Sequence, residues 1–392
     1  MLHCSFAPPG RTCVADHSPR VTLRSITRGC IPWPRRGQTA PDRHGATSLT
    51  TDATRAFWLT AALLLAAGAN AQQPARVNVG IANSATDVGL FVAYKKGYFA
   101  REGIDANLVT FDSGVRMIAP FASGDLDVGG GGPSAGLYNA AARGIDIRIV
   151  ADKGSTPPGR PLNYLVVRRD HVESGRYKSI ADLKGMRIGG AAPGGSATTT
   201  LDKLLERAKL RIADVERVYL GFPQQAVALQ NKAIDAALPT EPATTQVVKS
   251  GAGLHMIGDD EIYPNHQVTV ILYGGRFLRD RPDVARRFMR AYILAVREYN
   301  DAIVDGKLSG AKGEEMISIL TEMSQIKDAE LYRTMIAANI DPDGKLGVES
   351  LKEDLAIFLK EGLIEGKVDI TKVIDPSFAE SVVKELGPYR KN

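Results

Sequence analysis

Residues 179–200, SIADLKGMRIGGAAPGGSATTT, read as a single strand–turn–helix unit. Ser179 followed three residues later by Asp182 has the spacing of a capping box. The apolar run 186–189 is of strand length, Pro193, Gly194 and Gly195 break it, and Ser196 opens a helical pattern over 197–209. A strand that ends in a glycine turn and feeds a helix is the repeating step of an open α/β sheet.

The same step recurs on both sides of this stretch. Candidate strands are 77–81, 106–111, 126–129, 145–151, 162–168, 186–189, 217–220, 234–238, 254–257 and 267–273. Helical patterns lie near 87–96, 114–122, 134–142, 197–209, 223–231 and 242–250. The strands are apolar throughout rather than alternating, which predicts parallel sheets covered on both faces. From Arg281 the pattern turns helical, with a long amphipathic stretch over 282–304 and shorter ones near 313–323, 328–338 and 348–361.

The N-terminal region has a different character. Residues 56–71, AFWLTAALLLAAGANA, are too short to span a bilayer, which needs about 20 apolar residues, and they end in Ala69-Asn70-Ala71. This pattern predicts a signal peptide cleaved after Ala71 and export to the periplasm. Cys4, Cys13 and Cys30 all precede it, so neither a lipoprotein anchor nor a thiol of the mature chain is expected. The Arg- and Pro-rich residues before Leu49 suggest a start assigned too early, or a long leader in which Arg35 and Arg36 form a twin-arginine signal. Residues 1–71 hold eight Arg, no Lys and three Asp, so the remainder carries 41 basic and 41 acidic side chains. The basic balance of the whole chain therefore belongs to the leader and argues for neither nucleic acid nor an anionic membrane as partner. The 321 residues from Gln72 exceed a single core of roughly 250–300 residues, and two lobes are expected.

Five motifs in order carry a family resemblance: AYKKGYFAREGIDANLVTF at 93–111, ASGDLDVGGGGPSAG at 122–136, SIADLKGMRIGGAAPGGSATTT at 179–200, NKAIDAALPTEPATT at 231–245 and FLRDRPDVARRFMRAY at 277–292. Together they resemble the periplasmic substrate-binding proteins for sulfonates, taurine, nitrate and thiamine pyrimidine precursors. The resemblance implies a type II two-lobed α/β fold with a ligand cleft between the lobes and two crossing hinge strands, near 162–168 and 267–273. It implies lobe 1 over 72–166 and 269–392, the latter with the C-terminal helices, and lobe 2 over 167–268. It also implies an ABC permease with its ATPase as partner, a monomer, and no cofactor.

In open α/β sheets ligands sit beyond the carboxyl ends of strands, and five turns at such ends are polar or glycine-rich. In the first, Asn83, Ser84 and Thr86 serve either as helix caps or as ligand contacts; the resemblance tips them toward the cleft. In the second, Ser113 opens a helix with Arg116 in its first turn, a fork of donors suited to a carboxylate or sulfonate. The third, 129–134, has four glycines that let backbone approach a ligand, with Gly132 and Ser134 at its end. The fourth, Gly194, Gly195, Ser196 and Thr198, is the best single candidate: an oxyanion could sit on the N–H groups of a helix N-terminus, with plain N-capping as the alternative. The fifth contains Glu241, and with Asp87 it could instead hold an amine. Thr240 stands where the family often has an aromatic, so Tyr273 at a strand end becomes the candidate aromatic contact, while Phe222 is assigned to core packing.

Little points to catalysis. His171, His255 and His266 are scattered without metal-ligand spacing and expected at the surface, and Asp259-Asp260 reads as solvated charge. The sequence thus predicts a non-enzymatic solute-binding protein for a small organic anion, sulfonate or carboxylate, possibly aromatic. A ligand sensor, or a binder of a thiamine pyrimidine precursor, is the alternative.

Overall fold

All ten apolar runs form strands. In chain order they are β1 (Ala75–Ile81), β2 (Ile104–Thr110), β3 (Val128–Gly131), β4 (Ile147–Thr156), β5 (Tyr164–Arg168), β6 (Arg187–Gly190), β7 (Glu216–Tyr219), β8 (Ala236–Ala237), β9 (Gly253–Gly258) and β10 (His266–Gly274). The computed structural model describes residues 73–391; the leader and its cleavage point after Ala71 lie outside them. The strands make two five-stranded sheets, β2-β1-β3-β10-β4 in lobe 1 and β7-β6-β8-β5-β9 in lobe 2.

The sheets are mixed rather than parallel. Within each, the strands that follow the strand–helix step are parallel, as β1 is to β2 and β3 and β6 is to β7 and β8. The strand next to a crossing runs the other way: β10 is antiparallel to β3 and β4, and β5 to β8 and β9. A strand entered from the other lobe is not bound by the right-handed crossover that makes neighbours parallel. The crossings themselves are the segments 157–163 and 259–265. Neither β5 nor β10, the two strands expected to cross, leaves its own sheet.

Lobe 1 buries both faces of its sheet. On β10, Ile271 and Tyr273 point into one core with Phe91, Phe288 and Tyr292, while Val270 and Leu272 point into the other with Tyr138, Leu351 and Phe358. Side chains alternate across a strand, so a strand inside two helical layers must be apolar at every position. The helix Pro282–Asp301 covers the first face. Proline sits at its first position, where no N–H is needed, and Val284, Phe288, Met289, Tyr292, Val296 and Tyr299 form its buried stripe. The helix Val348–Lys360 covers the second face.

The crossings are tied by acids. Asp259 accepts from the N–H of Leu162 (2.9 Å), the N–H of Asn163 (3.1 Å) and the Nδ2 of Asn163 (2.6 Å). Asp260 accepts from the N–H of Gly159 at 2.8 Å. Both are buried, which corrects the expectation of a solvated loop. One carboxylate from the returning segment thus fixes the outgoing one.

Phe288 stacks on Phe99 at 4.6 Å between ring centroids and meets the edge of Tyr273. Phe288→Ala is expected to destabilise lobe 1 by about 3–5 kcal/mol, read as a lowered urea midpoint for the far-UV CD transition.

Candidate functional site

The strand-end turns of both sheets meet in one cleft of about 630 Å³, counted with its open mouth. Lobe 1 contributes Ala82, Ser84, Ser113, Gly114, Val115, the glycines 130–132, Val268 and Thr269. Lobe 2 contributes Ala191, Ala192, Gly195, Ser196, Ala197, Phe222 and Thr240, and Asn163 lines the floor from the first crossing.

Where Gly114 meets Gly131 and Gly132, the lobe 1 wall is bare backbone because it has no room for anything else. A Cβ on Gly114 would fall 2.6 Å from the N of Gly132 and 2.7 Å from the Cα of Gly131. On the facing wall, Gly195 caps the helix Ser196–Glu206, whose first N–H groups lack intrahelical partners and carry its positive end. Hydroxyls of Ser84, Ser113, Ser196 and Thr269 complete the polar lining, and the Oγ1 of Thr269 is buried without a hydrogen-bond partner among the described residues. A buried hydroxyl left open in this way is where a ligand oxygen or a water belongs. Phe222, Val115, Val268 and the alanines supply the apolar remainder.

The lining contains no charged side chain. Charge lies one layer behind it. Lys153 and Asp87 form a fully buried ion pair at 2.8 Å, and the second Asp87 oxygen accepts from the N–H of Ala82 and Ser84 at 3.1 and 3.0 Å. The turn that carries Ser84 is therefore held by a carboxylate that never reaches the cleft. The floor is built likewise: Asn163 donates to Asp259 and accepts from the hydroxyl of Thr240.

The lobes touch around the cleft. The N–H of Ala135 donates to the carbonyl of Gly194 (2.8 Å) and that of Ala85 to the carbonyl of Glu241 (3.1 Å). Lys360 at the end of the helix Val348–Lys360 pairs with Asp202 (2.6 Å) and Glu206 (2.8 Å) on the lobe 2 helix. Next to these, buried His266 pairs with Asp354 at 3.1 Å, within 3.4 Å of the Thr199 and Thr200 hydroxyls. The other buried histidine, His171, contacts Asp235 at 2.8 Å. Both were expected at the surface; burial against a carboxylate is how each is accommodated.

Of the residues nominated from sequence, Ser84, Ser113, Gly132, Gly195 and Ser196 line the cleft. Thr86 lies behind Ser84, fully buried. Asn83 is half-buried in the left-handed region at φ 54° and does not line it. Arg116 is exposed and turned away, with Val115 taking its place on the wall. Ser134 is spent as a helix cap, accepting from the N–H of Leu137 at 3.2 Å. Gly194 holds the lobe contact, and Thr198 is buried beneath the helix start. The Glu241 carboxyl is buried against the N–H and hydroxyl of Thr245 at 3.1 and 3.0 Å. Tyr273 is wholly buried in the lobe 1 core, its hydroxyl donating to the carbonyl of Ala285 at 2.9 Å. The aromatic on the cleft is Phe222, so the two assignments are exchanged: Tyr273 shares a strand face with Ile271, whereas Phe222 opens a helix straight after a strand end.

The family follows from the comparison of the chain with known proteins. Residues 70–303 match the model of the NMT1-like family. The chain belongs to the NMT1-like family. Three solved structures share its fold. The alkanesulfonate-binding protein SsuA from Xanthomonas axonopodis pv. citri, bound to MOPS, is 19% identical over 78% of this chain and 99% of its own, with a TM-score of 0.61. The periplasmic nitrate-binding protein NrtA from Synechocystis PCC 6803 is 13% identical over 81% and 90%, with a TM-score of 0.66. The desulfurization enzyme DSZB is 16% identical over 80% and 99%, with a TM-score of 0.54. These likenesses establish a two-lobed α/β fold for this NMT1-like protein.

Three buried acids, Asp152 within lobe 1 and Glu241 and Asp259 nearer the crossings, hold their protons unusually tightly. Burial pushes Asp152 and Glu241 up to about 7 and Asp259 up to about 6, against the hydrogen bonds that favour their charged forms. The native state then binds more protons than the unfolded chain between roughly pH 4 and 7, so stability should fall as pH rises through that window. Urea midpoints at pH 5 and pH 8 measure this, and Asp152→Asn is expected to flatten the difference. Gly132 gives a second prediction. A Cβ there would lie 3.0 Å from the carbonyl of Val268 and 3.2 Å from the Oγ of Ser196 on the other lobe. Gly132→Val is expected to wedge the lobes apart, seen as a larger radius of gyration in solution scattering with unchanged CD.

Proposed function

We propose that this protein is the solute-binding component of an ABC importer, exported by its leader, which captures a small organic anion by closing two lobes over it. The observation that carries the reading is the convergence of neutral donors from both lobes on one cleft: the Ser84, Ser113 and Thr269 hydroxyls from lobe 1, and Ser196 with its helix N-terminus from lobe 2. Dipoles fixed in this way hold an oxyanion without a countercharge. Contacts on both sides favour the closed form, so capture is a population shift. Phe222, Val115 and Val268 suit an apolar body behind the anionic head, which favours an alkyl or aryl sulfonate or carboxylate over a bare inorganic ion. The alkanesulfonate binder that shares the fold supports the same class, and the nitrate binder supports an oxyanion head.

A catalytic reading, raised by the desulfurization enzyme, is disfavoured by the lining itself, which holds no Cys, His, Asp or Glu. The amine reading loses its two acids, since Asp87 is paired with Lys153 and Glu241 is bonded to Thr245.

A thermal-shift panel of alkyl and aryl sulfonates, aromatic carboxylates, nitrate and aminopyrimidines tests the proposal. A sulfonate or carboxylate at 100 times its Kd should add about 2.7 kcal/mol of stability. A response to aminopyrimidines alone would overturn the anion assignment.

A further inference from the structure

The fully buried Lys153 is not explained by packing. It lies on β4, in the middle of lobe 1, and its stem occupies the place of a side chain at Gly130, whose Cβ would fall 2.5 Å from the Lys153 Cε. Its Nζ sits 2.8 Å from Asp87 and donates to the Oγ1 of Thr86 at 2.7 Å. Thr86 Oγ1 is in turn 2.8 Å from the Oγ of Ser84. Only Ser84 of these four lines the cleft.

The proton order along this row follows from what each group can do. The ammonium paired with Asp87 only donates, so Thr86 must accept from it. The one hydrogen of Thr86 is then free for the acceptor in reach, Ser84 Oγ. With that lone pair engaged, the Ser84 hydroxyl hydrogen is left for the cleft. Each bond polarises the next, and the charge at the buried end strengthens the donor at the open end.

We propose that Lys153 and Thr86 are specificity-setting residues, which through this row make Ser84 a one-way hydrogen-bond donor to the captured solute. The inference rests on the solute-binding reading above and narrows it. The atom of the solute that meets Ser84 is an acceptor oxygen of an oxyanion, and a solute presenting N–H there is refused. Neither residue touches the solute; both position Ser84. The arrangement delivers part of the effect of a cation to a wall that contains none.

Neutron diffraction from crystals of the deuterated protein reads the row without any ligand. The expected map has the Thr86 deuteron directed at Ser84 Oγ and the Ser84 deuteron directed into the cleft. A Ser84 deuteron directed at Thr86 would overturn the proposal whatever the protein binds. The binding arm uses benzenesulfonate and benzamidine in calorimetry. Thr86→Val keeps the shape and the Lys153–Asp87 pair but breaks the row, and is expected to weaken benzenesulfonate about tenfold, while Thr86→Ser restores wild-type affinity. Equal affinity of wild type and Thr86→Val for benzenesulfonate would sink the relay and leave the solute-binding reading standing. The predicted deuteron order with wild type binding no oxyanion would support the row and remove the anion reading instead. Tighter binding of benzamidine than of benzenesulfonate by wild type would count against the donor role of Ser84.

Discussion

The carboxylate of Asp259 is the constraint on which the rest of the architecture depends. Two chain segments pass between the lobes, and sheet pairing fixes them only at their ends, where Thr156 lies opposite His266 and Tyr164 opposite Gly258. Between those ends Asp259 ties them by accepting three hydrogen bonds from Leu162 and Asn163 on the neighbouring crossing. Asn163 then receives the hydroxyl of Thr240 and brings a lobe 2 turn to the cleft floor. A buried, multiply bonded acid costs desolvation energy, and its hydrogen bonds offset part of it. The result is a junction in which the two crossings are held together as one strap.

The same economy governs charge around the cleft. Ionised groups are kept one layer back, where Asp87 and Lys153 neutralise each other and shape the turn at 82–87. The lining is left to hydroxyls, amides and small apolar groups. A formal cation buried in the wall would carry a large desolvation cost; fixed dipoles leave the wall polar without it. The lobe contacts from Lys360, Asp202 and Glu206 lie outside the cleft, and Lys360 and Glu206 meet where water can still screen them.

Much of this fold was legible in the sequence. Every one of the ten apolar runs became a strand, because a strand buried on both faces needs apolar residues at each position, and the capping box of Ser179 and Asp182 formed as its spacing predicts. Strand direction was not legible, since β5 and β10 are apolar runs like the parallel strands of their sheets and only the crossings reverse them. The site was half legible. Glycines and serines at strand ends pointed to Ser84, Ser113, Gly132, Gly195 and Ser196. Tyr273 and Phe222 were exchanged because a strand face is decided by register, which no local pattern reveals. Asn163 and Thr269 were missed because each owes its place to partners about a hundred residues away or to the other lobe. Asp259 and the two buried histidines were misread for a related reason: a polar side chain looks solvated until its partner is known.

The close approach of Gly114 to Gly131 and Gly132 reaches beyond stability. Backbone against backbone leaves that wall no vocabulary for change, since even a methyl group would collide with main-chain atoms that cannot step aside. A change of side chain in this lining therefore finds room elsewhere, at Phe222 and the residues flanking Gly195 on the facing wall, and not where glycine meets glycine.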